Sequence, residues 1–475
     1  MTTLTLVWIG LPFFLGFTIY LLPQLDKVLA LGMAIISIGY GLQTLLNPSP
    51  LNLQLLDHFG VSLIIDQLSG YFILTNGLVT AAVILYCWHT NKTSFFYTQV
   101  TLLHGSLNAA FICADFMSLY VALEVIGIAT FLLIVYPRSD RSIWVGLRYL
   151  FVSNVALLFY LVGAVLVYQT HHSFAFTGLQ GVPPEAVALI FLGLLIKGGI
   201  FISGLWLPLT HSEAETPVSA LMSGVVVKAG VFPLVRLALM ISEIDPIVRF
   251  FGVGTALLGV SYAMFEKDTK RMLAFHTISQ LGFVLAAPEV GGFYALTHGL
   301  VKSALFLIAG TLPSRNFSEL KHQPMNTHLW IALAIASFSI SGFPLLSGFG
   351  AKVLTMKNLL PWQVIAMNIA ALGTAISFAK FIFLPFGGED KVRKGFWPGI
   401  ILLLAGLVGA NIVYYQAYTL ANIIKPLITI ILGWLIYVFG IQRLSIKLPR
   451  VIEQFEHLMG VMSLMLILLF WMVWS

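Results

Sequence analysis

Apolar stretches long enough to cross a lipid bilayer follow one another along almost the whole chain. A helix needs about 20 predominantly apolar residues to span the hydrocarbon. On that basis the sequence predicts about sixteen spans. They lie near 4–22, 28–46, 63–88, 96–113, 116–136, 145–168, 186–208 and 217–241, then 248–264, 272–287, 293–312, 328–358, 362–386, 397–417, 420–440 and 458–474. Of the 475 residues 59% are hydrophobic and only 9% charged, against about 25% charged in soluble domains. So few charges cannot cover a water-exposed surface, which excludes a large soluble enzyme. Runs this long lack the alternation of a membrane barrel, so strands are not expected. The reading is an all-α, polytopic membrane helix bundle. The first stretch lacks a basic region and an evident cleavage site, and is read as a retained helix.

The basic residues check the count. Fifteen of the 25 Lys and Arg fall in odd-numbered gaps: Lys27, Lys92, Arg138, Arg141, Lys267, Lys270, Arg271, Arg315, Lys321, Lys391, Arg393, Lys394, Arg443, Lys447 and Arg450. The even gaps hold almost none, and one missed helix would scramble the alternation. The positive-inside rule makes the odd loops cytoplasmic and puts both termini outside. The net charge of +6 forms no dense run, so nucleic acid is not an expected partner.

Two stretches are interrupted. Gly198-Gly199 and Ser203-Gly204 precede Trp206-Leu207-Pro208, and Ser341-Gly342-Phe343-Pro344 is followed by Ser347-Gly348-Phe349-Gly350. Broken segments in corresponding halves point to a transport site at a repeat interface, where protein or water must satisfy the freed backbone groups.

Six charges lie inside spans: Glu124, Lys197, Lys228, Lys302, Lys352 and Lys380. Each costs roughly 2.5–3.5 kcal/mol at the bilayer centre, so six unpaired would exceed about 10 kcal/mol. They must face the bundle interior and share partners or water. In each half a broken helix with a lysine is followed by a helix with a lysine, which predicts two five-helix repeats, the second inverted. The corresponding division is 1–95 for N-terminal helices, 96–247 and 248–390 for the repeats, and 391–475 for the C-terminal helices. Lysine suits a proton relay because burial disfavours its charged form while a nearby carboxylate favours it. Glu124 is the natural modulator of Lys197. His298, four residues before Lys302 and on the same helix face, could shuttle protons. Lys357 and Lys425 lie nearer helix ends, where snorkelling is the better reading.

Other features carry less. Cys87 and Cys113 stand at no ligand spacing and read as packing residues. Glu213 and Glu215, beside His211, fit either a proton or cation inlet or a solvated loop. There is no Walker loop, dinucleotide-binding glycine fingerprint, CxxC pair or haem motif, so no cofactor, metal, redox or ATP chemistry of the chain's own is expected.

A set of motifs then carries a resemblance. Ile196-Lys197-Gly198-Gly199-Ile200-Phe201, Leu205-Trp206-Leu207-Pro208, Thr216-Pro217-Val218-Ser219-Ala220-Leu221 and Val227-Lys228-Ala229-Gly230-Val231 form its first part. Lys267-Asp268-Thr269-Lys270-Arg271-Met272-Leu273-Ala274, His276-Thr277-Ile278-Ser279-Gln280-Leu281-Gly282 and His298-Gly299-Leu300-Val301-Lys302-Ser303-Ala304-Leu305-Phe306 form its second. Over about residues 60–390 this resembles the antiporter-like subunits of proton-pumping NADH–quinone oxidoreductase (complex I) and of Mrp multisubunit cation/proton antiporters. Gly342-Phe343-Pro344-Leu345-Leu346-Ser347-Gly348-Phe349 with Lys352 is most similar to the Mrp D type.

The resemblance implies a charge pair of Glu124 and Lys197, a central relay at Lys228, an outlet at Lys352, and His298 and Lys302 in the hydrophilic axis. It implies a core of fourteen helices, so two more stand at the C-terminus. Where relatives often carry Leu-Pro-Asp this chain has Leu207-Pro208-Leu209, which removes a carboxylate. The implied function is a secondary-transporter subunit, not itself an enzyme, exchanging Na⁺ or another monovalent cation for H⁺ within a membrane hetero-oligomer, in a prokaryotic plasma membrane or a thylakoid. The alternatives are a proton-pumping subunit of an NADH- or ferredoxin–quinone oxidoreductase and, from another class, a membrane scaffold with vestigial lysines.

Overall fold

The computed structural model describes residues 2–47, 49–56, 60–388, 392–444, 446 and 448–474. Lys391 and Lys447, assigned to odd gaps from sequence, lie outside the described residues. The spans are α1 (Thr2–Leu21), α2 (Asp26–Leu46), α3 (Gln67–Cys87), α4 (Ser94–Ala110), α5 (Phe116–Ile134) and α6 (Asp140–His171), then the broken α7a (Pro184–Gly198) and α7b (Leu207–Glu213), and α8 (Thr216–Met240). The second half has α9 (Asp245–Phe265), α10 (Thr269–Ala286), α11 (Pro288–Ala309), the broken α12a (Thr327–Ser341) and α12b (Ser347–Lys357), α13 (Val364–Ile382), α14 (Phe396–Val413), α15 (Leu420–Phe439) and α16 (Phe455–Trp474).

Among the described residues thirteen of these spans are long and apolar enough to cross a membrane unaided. The other three are α4, at 17 residues, the broken α12, and α10, which carries Lys270, Arg271, His276 and Gln280 within 18 residues. Each has a reason to fall short. α4 and α10 are buried against other helices and need no lipid-facing apolar side, and α12 is interrupted. The chain is a multi-pass integral membrane protein built as an all-α bundle.

Ion pairs sort the loops into two layers, as sixteen crossings require. On the odd-gap face Lys92 meets Glu215 at 2.6 Å, Arg141 meets Glu213 at 3.5 Å, and Arg315 meets Asp268 at 2.8 Å. On the even-gap face Arg236 grips Asp66, one contact at 2.9 Å, while Arg249 joins Asp245 at 2.7 Å and also binds Glu289. No described ion pair mixes the two faces. Glu213 and Glu215 are therefore tied into the surface network.

Strands were not expected, and two small sheets stand outside the spans. β1 (Leu51–Leu56) and β2 (Gly60–Ile65) form an antiparallel hairpin on the even-gap face; Met325–Asn326 pairs with Phe386–Gly388 on the other. The apolar run Val61–Ile65 belongs to β2, so the third span begins at Gln67 instead of residue 63. Asp66 ends the strand by capping α3, its carboxylate accepting from the Ser69 amide at 3.0 Å. Lys270 and Arg271, assigned to the ninth gap, sit in the first turn of α10, because Asp268 caps that helix earlier than the apolar pattern suggests.

Both breaks use one backbone device. α7a ends at Gly199, φ +68°, and the Ile200 amide reaches back to the Leu195 carbonyl at 2.9 Å. α12a ends at Gly342, φ +86°, and the Phe343 amide reaches the Phe338 carbonyl at 3.0 Å. Each is a helix stop with a left-handed glycine, a conformation other residues adopt at a cost of about 1–2 kcal/mol. Counted along the chain, α7 and α12 cross in opposite directions.

The last two helices diverge. α15 packs on α13, whereas α16 returns to α7a. Of the segment joining them, the described residues 440–444, 446 and 448–454 lie on the odd-gap face. There Glu453 accepts from Arg271 of α10 at 2.7 Å and, through its carbonyl, from Arg148 of α6.

Candidate functional site

Every lysine read as mid-membrane from sequence is buried, and each is held differently. Lys197 lies in the last turn of α7a, two residues before the left-handed Gly199. Its ammonium donates to Ser153 Oγ of α6 at 2.6 Å and sits 6.0 Å from the Tyr149 ring. Gly127 of α5 leaves room for it: a Cβ there would stand 3.0 Å from Lys197 Nζ and 3.3 Å from Ser153 Oγ. Glu124 is one turn earlier on the same face of α5. It is half-buried, bonded to the Tyr120 hydroxyl, and interacts electrostatically with Lys197. No ion pair within 4.0 Å joins the two among the described residues. They act across a gap.

Lys228 follows a π turn, Met222–Val226, which loosens the α8 backbone. Its ammonium bonds the Gly224 carbonyl at 2.6 Å and the Ser223 carbonyl at 3.2 Å, and lies 3.3 Å from His298 Nδ1. The other ring nitrogen of His298 has no partner. One turn along α11, Lys302 donates to the Leu273 carbonyl of α10 and lies 5.1 Å from the Phe306 ring. His298 thus touches Lys228 and stands on the same helix face as Lys302, as its spacing predicted.

His276 of α10 continues the row. It is fully buried, neither ring nitrogen is bonded, and it interacts electrostatically with Lys302, Lys352 and Lys380. From sequence, His276 stood only within a motif and had no role of its own. Lys352 of α12b is the last member. Its Nζ is buried without a hydrogen-bond partner, 5.5 Å from the Phe283 ring, and lines a cavity of about 270 Å³. Lys380, which also interacts electrostatically with His276, bonds the Ala263 carbonyl at 3.1 Å and the Glu266 carbonyl at 2.9 Å, at the C-terminal end of α9. There a cation satisfies orphan carbonyls and the helix dipole.

Among the described residues one side-chain hydrogen bond joins two members of the row, Lys228 to His298, and the other members act on one another through space. Between Lys197 and Lys228 the helices press backbone to backbone, so that a Cβ on Gly230 would fall 2.3 Å from the Gly198 amide nitrogen. Among the described residues no side-chain hydrogen bond crosses there. From Lys228 onward, ionisable groups interact in sequence as far as Lys352.

Residues 113–377 match the transmembrane family described as NADH:quinone oxidoreductase/Mrp antiporter. The chain belongs to this family. The matched segment covers both broken helices and Glu124, Lys197, Lys228, His298, Lys302 and Lys352, and stops before Lys380 and the C-terminal helices. One relative is the D component of the Na⁺/H⁺ antiporter of Alkalihalophilus pseudofirmus, 28% identical over 75% of this chain and 80% of that protein. Another is the N component of the NADH-quinone oxidoreductase of Desulforudis audaxviator, 29% identical over 71% of this chain and 74% of that one. Among solved structures, a chain of the membrane-bound sulfane sulfur reductase, an archaeal respiratory membrane complex, superposes with a TM-score of 0.78. It is 19% identical and the match covers 92% of this chain and 99% of that chain, a likeness of fold. The likeness of fold therefore extends beyond the matched family segment to nearly all of this chain.

Proposed function

We propose that this chain is a D-type subunit of a multisubunit cation/proton antiporter, exchanging Na⁺ for H⁺ as part of a membrane hetero-oligomer. Protons move along Glu124, Lys197, Lys228, His298, Lys302 and Lys352, with His276 bridging Lys302 to Lys352. The observation that carries this reading is the row itself. It holds at least five buried ionisable groups from α7, α8, α11 and α12, two of them with a buried, unbonded nitrogen. A scaffold has no need of such costly groups. Glu124 sets the occupancy of Lys197 through its field: a carboxylate favours the charged amine, and neutralising it lets the proton go. The reading adopts the repeats 96–247 and 248–390, and places the odd-gap face in the cytoplasm and both termini outside.

Replacing Lys228 with Ala and measuring cation-dependent ΔpH in vesicles tests it. Exchange should vanish while the complex still assembles; unaltered exchange would return the chain to the scaffold class. The quinone-oxidoreductase relative supports a second reading, a proton-pumping subunit of a redox complex. Co-purification with redox subunits decides for that one.

A further inference from the structure

The cavity beside Lys352 holds a feature that proton transfer does not explain. It lies on the even-gap face, where α12b ends and α13 and α15 begin, and is lined by Lys352, Lys357, Lys425, Asn368 and Asn422 with Val353, Met356 and Pro426 among them. No carboxylate lines it. None of the three lysines is in an ion pair among the described residues, and Lys352 Nζ, buried at its inner end, has no partner at all. Lys357, Lys425 and Asn368 are exposed at the rim.

We propose that this groove binds a phosphate group, that of an anionic phospholipid headgroup. Three amines around about 270 Å³ supply donors and positive charge for a phosphate oxygen set, joined by the second N–H of Asn368 and of Asn422, whose first N–H groups bond the Val364 and Ala417 carbonyls. A free phosphate would use the same donors. Position favours the lipid: α15 forms one wall and turns most of its apolar surface outward, with Ile424, Ile428, Ile431 and Leu435 exposed. Val353, Met356 and Pro426 offer apolar contact for the glycerol and first methylenes. Lysines near a membrane surface contribute about 1 kcal/mol each to binding anionic lipid. A headgroup here would stand beside Lys352 and favour its charged form, so lipid composition would act on the outlet of the proposed axis.

The test is lipid retention by the purified complex, measured by native mass spectrometry with phosphatidylglycerol or phosphatidylcholine added back after delipidation. Wild type should retain phosphatidylglycerol selectively, and K357Q/K425Q should retain it about 30-fold more weakly with the same subunit composition. If the double variant does not assemble, Lys425→Gln alone, on the peripheral α15, should weaken retention by about fivefold. Equal retention of the two lipids, or no change in the variants, overturns the site. Displacement of phosphatidylglycerol by inorganic phosphate at about equal affinity overturns the lipid in favour of a free anion. Protection of Lys357 and Lys425 from an amine reagent in the lipid-free complex overturns it in favour of a neighbouring protein. Retention is independent of exchange activity, so failure of the antiporter reading leaves this test intact.

Discussion

The two broken helices share a backbone and differ in what surrounds the lysine. In α7 the lysine precedes the break, and its ammonium is met by Ser153 with Glu124 acting from α5. In α12 it follows the break by ten residues, its stem lying where a Cβ of Gly342 would be 2.9 Å from Lys352 Cδ, and its ammonium is bare toward the even-gap face. The left-handed glycine ends the helix in both halves, but the job of each site comes from neighbouring helices. One lysine is supplied with a hydroxyl acceptor and a modulating carboxylate. The other is supplied with room.

Breaking the first site should have the largest effect. Lys197→Ala and Glu124→Ala should each lower exchange by about 10²–10⁴-fold, the range for removing a proton-transfer group, with assembly intact by gel filtration. Loss of assembly would make these residues structural. Gly342→Ala attacks the second site through its backbone. The left-handed φ and the 2.9 Å approach to Lys352 should lower stability by about 1–2 kcal/mol, read as a fall in thermal midpoint that Lys197→Ala does not share. Gly127→Ala sharpens the contrast: it should cost about tenfold in exchange by crowding the Lys197 head group, with little change in stability. Ser153→Ala should shift the pH profile of exchange by about 1–2 units, since one hydrogen bond to a charged amine amounts to about 1.5–3 kcal/mol, while the rate at its optimum falls only a few-fold. If Ser153→Ala proved as damaging as Lys197→Ala, the contrast drawn between the halves would be wrong.

The smallest effect concerns the odd-gap surface. Burial alone would raise the Glu266 carboxyl, but Arg271 beside it, the Asp268 amide and Arg450 hold it below the usual range. A depressed carboxylate stabilises the fold above its unfolded pKa of about 4.3, and the contribution is lost as pH falls through the lower folded value. Protection of the amides across 448–454, taken relative to their intrinsic exchange rate at each pH, should therefore be unchanged between about pH 5 and 8 and fall only in stronger acid. A loss of protection near neutrality would refute the pairing.

The span count was legible because two independent signals, apolar length and the alternation of Lys and Arg, had to agree. The row of lysines was legible because a charge inside an apolar run is conspicuous. The groups that set those lysines were not. Ser153, Tyr149 and Gly127 are ordinary residues in apolar helices, and only packing brings them to Lys197. His276 could have been assigned: a histidine inside a membrane-spanning helix, beside Thr277 and Gln280, is rare enough to mark a functional position. The hairpin was hidden because β2 runs into α3 with no loss of hydrophobicity, although Asp66 followed by Ser69 is an N-cap signal. That Lys380 is also tied to the carbonyl end of α9 was hidden, because sequence position cannot tell mid-helix depth from the end of a neighbouring helix.

Glu453 has a mechanical consequence. Its carboxylate is fastened to α10 and its carbonyl to α6, so a single residue rivets the two halves together on one face. Transporters that work by swinging one half against the other must shear whatever joins them, and parting a buried ion pair of this kind costs about 3–5 kcal/mol. Under the proposed function, that joint favours charge changing place within a closed body over one half swinging against the other.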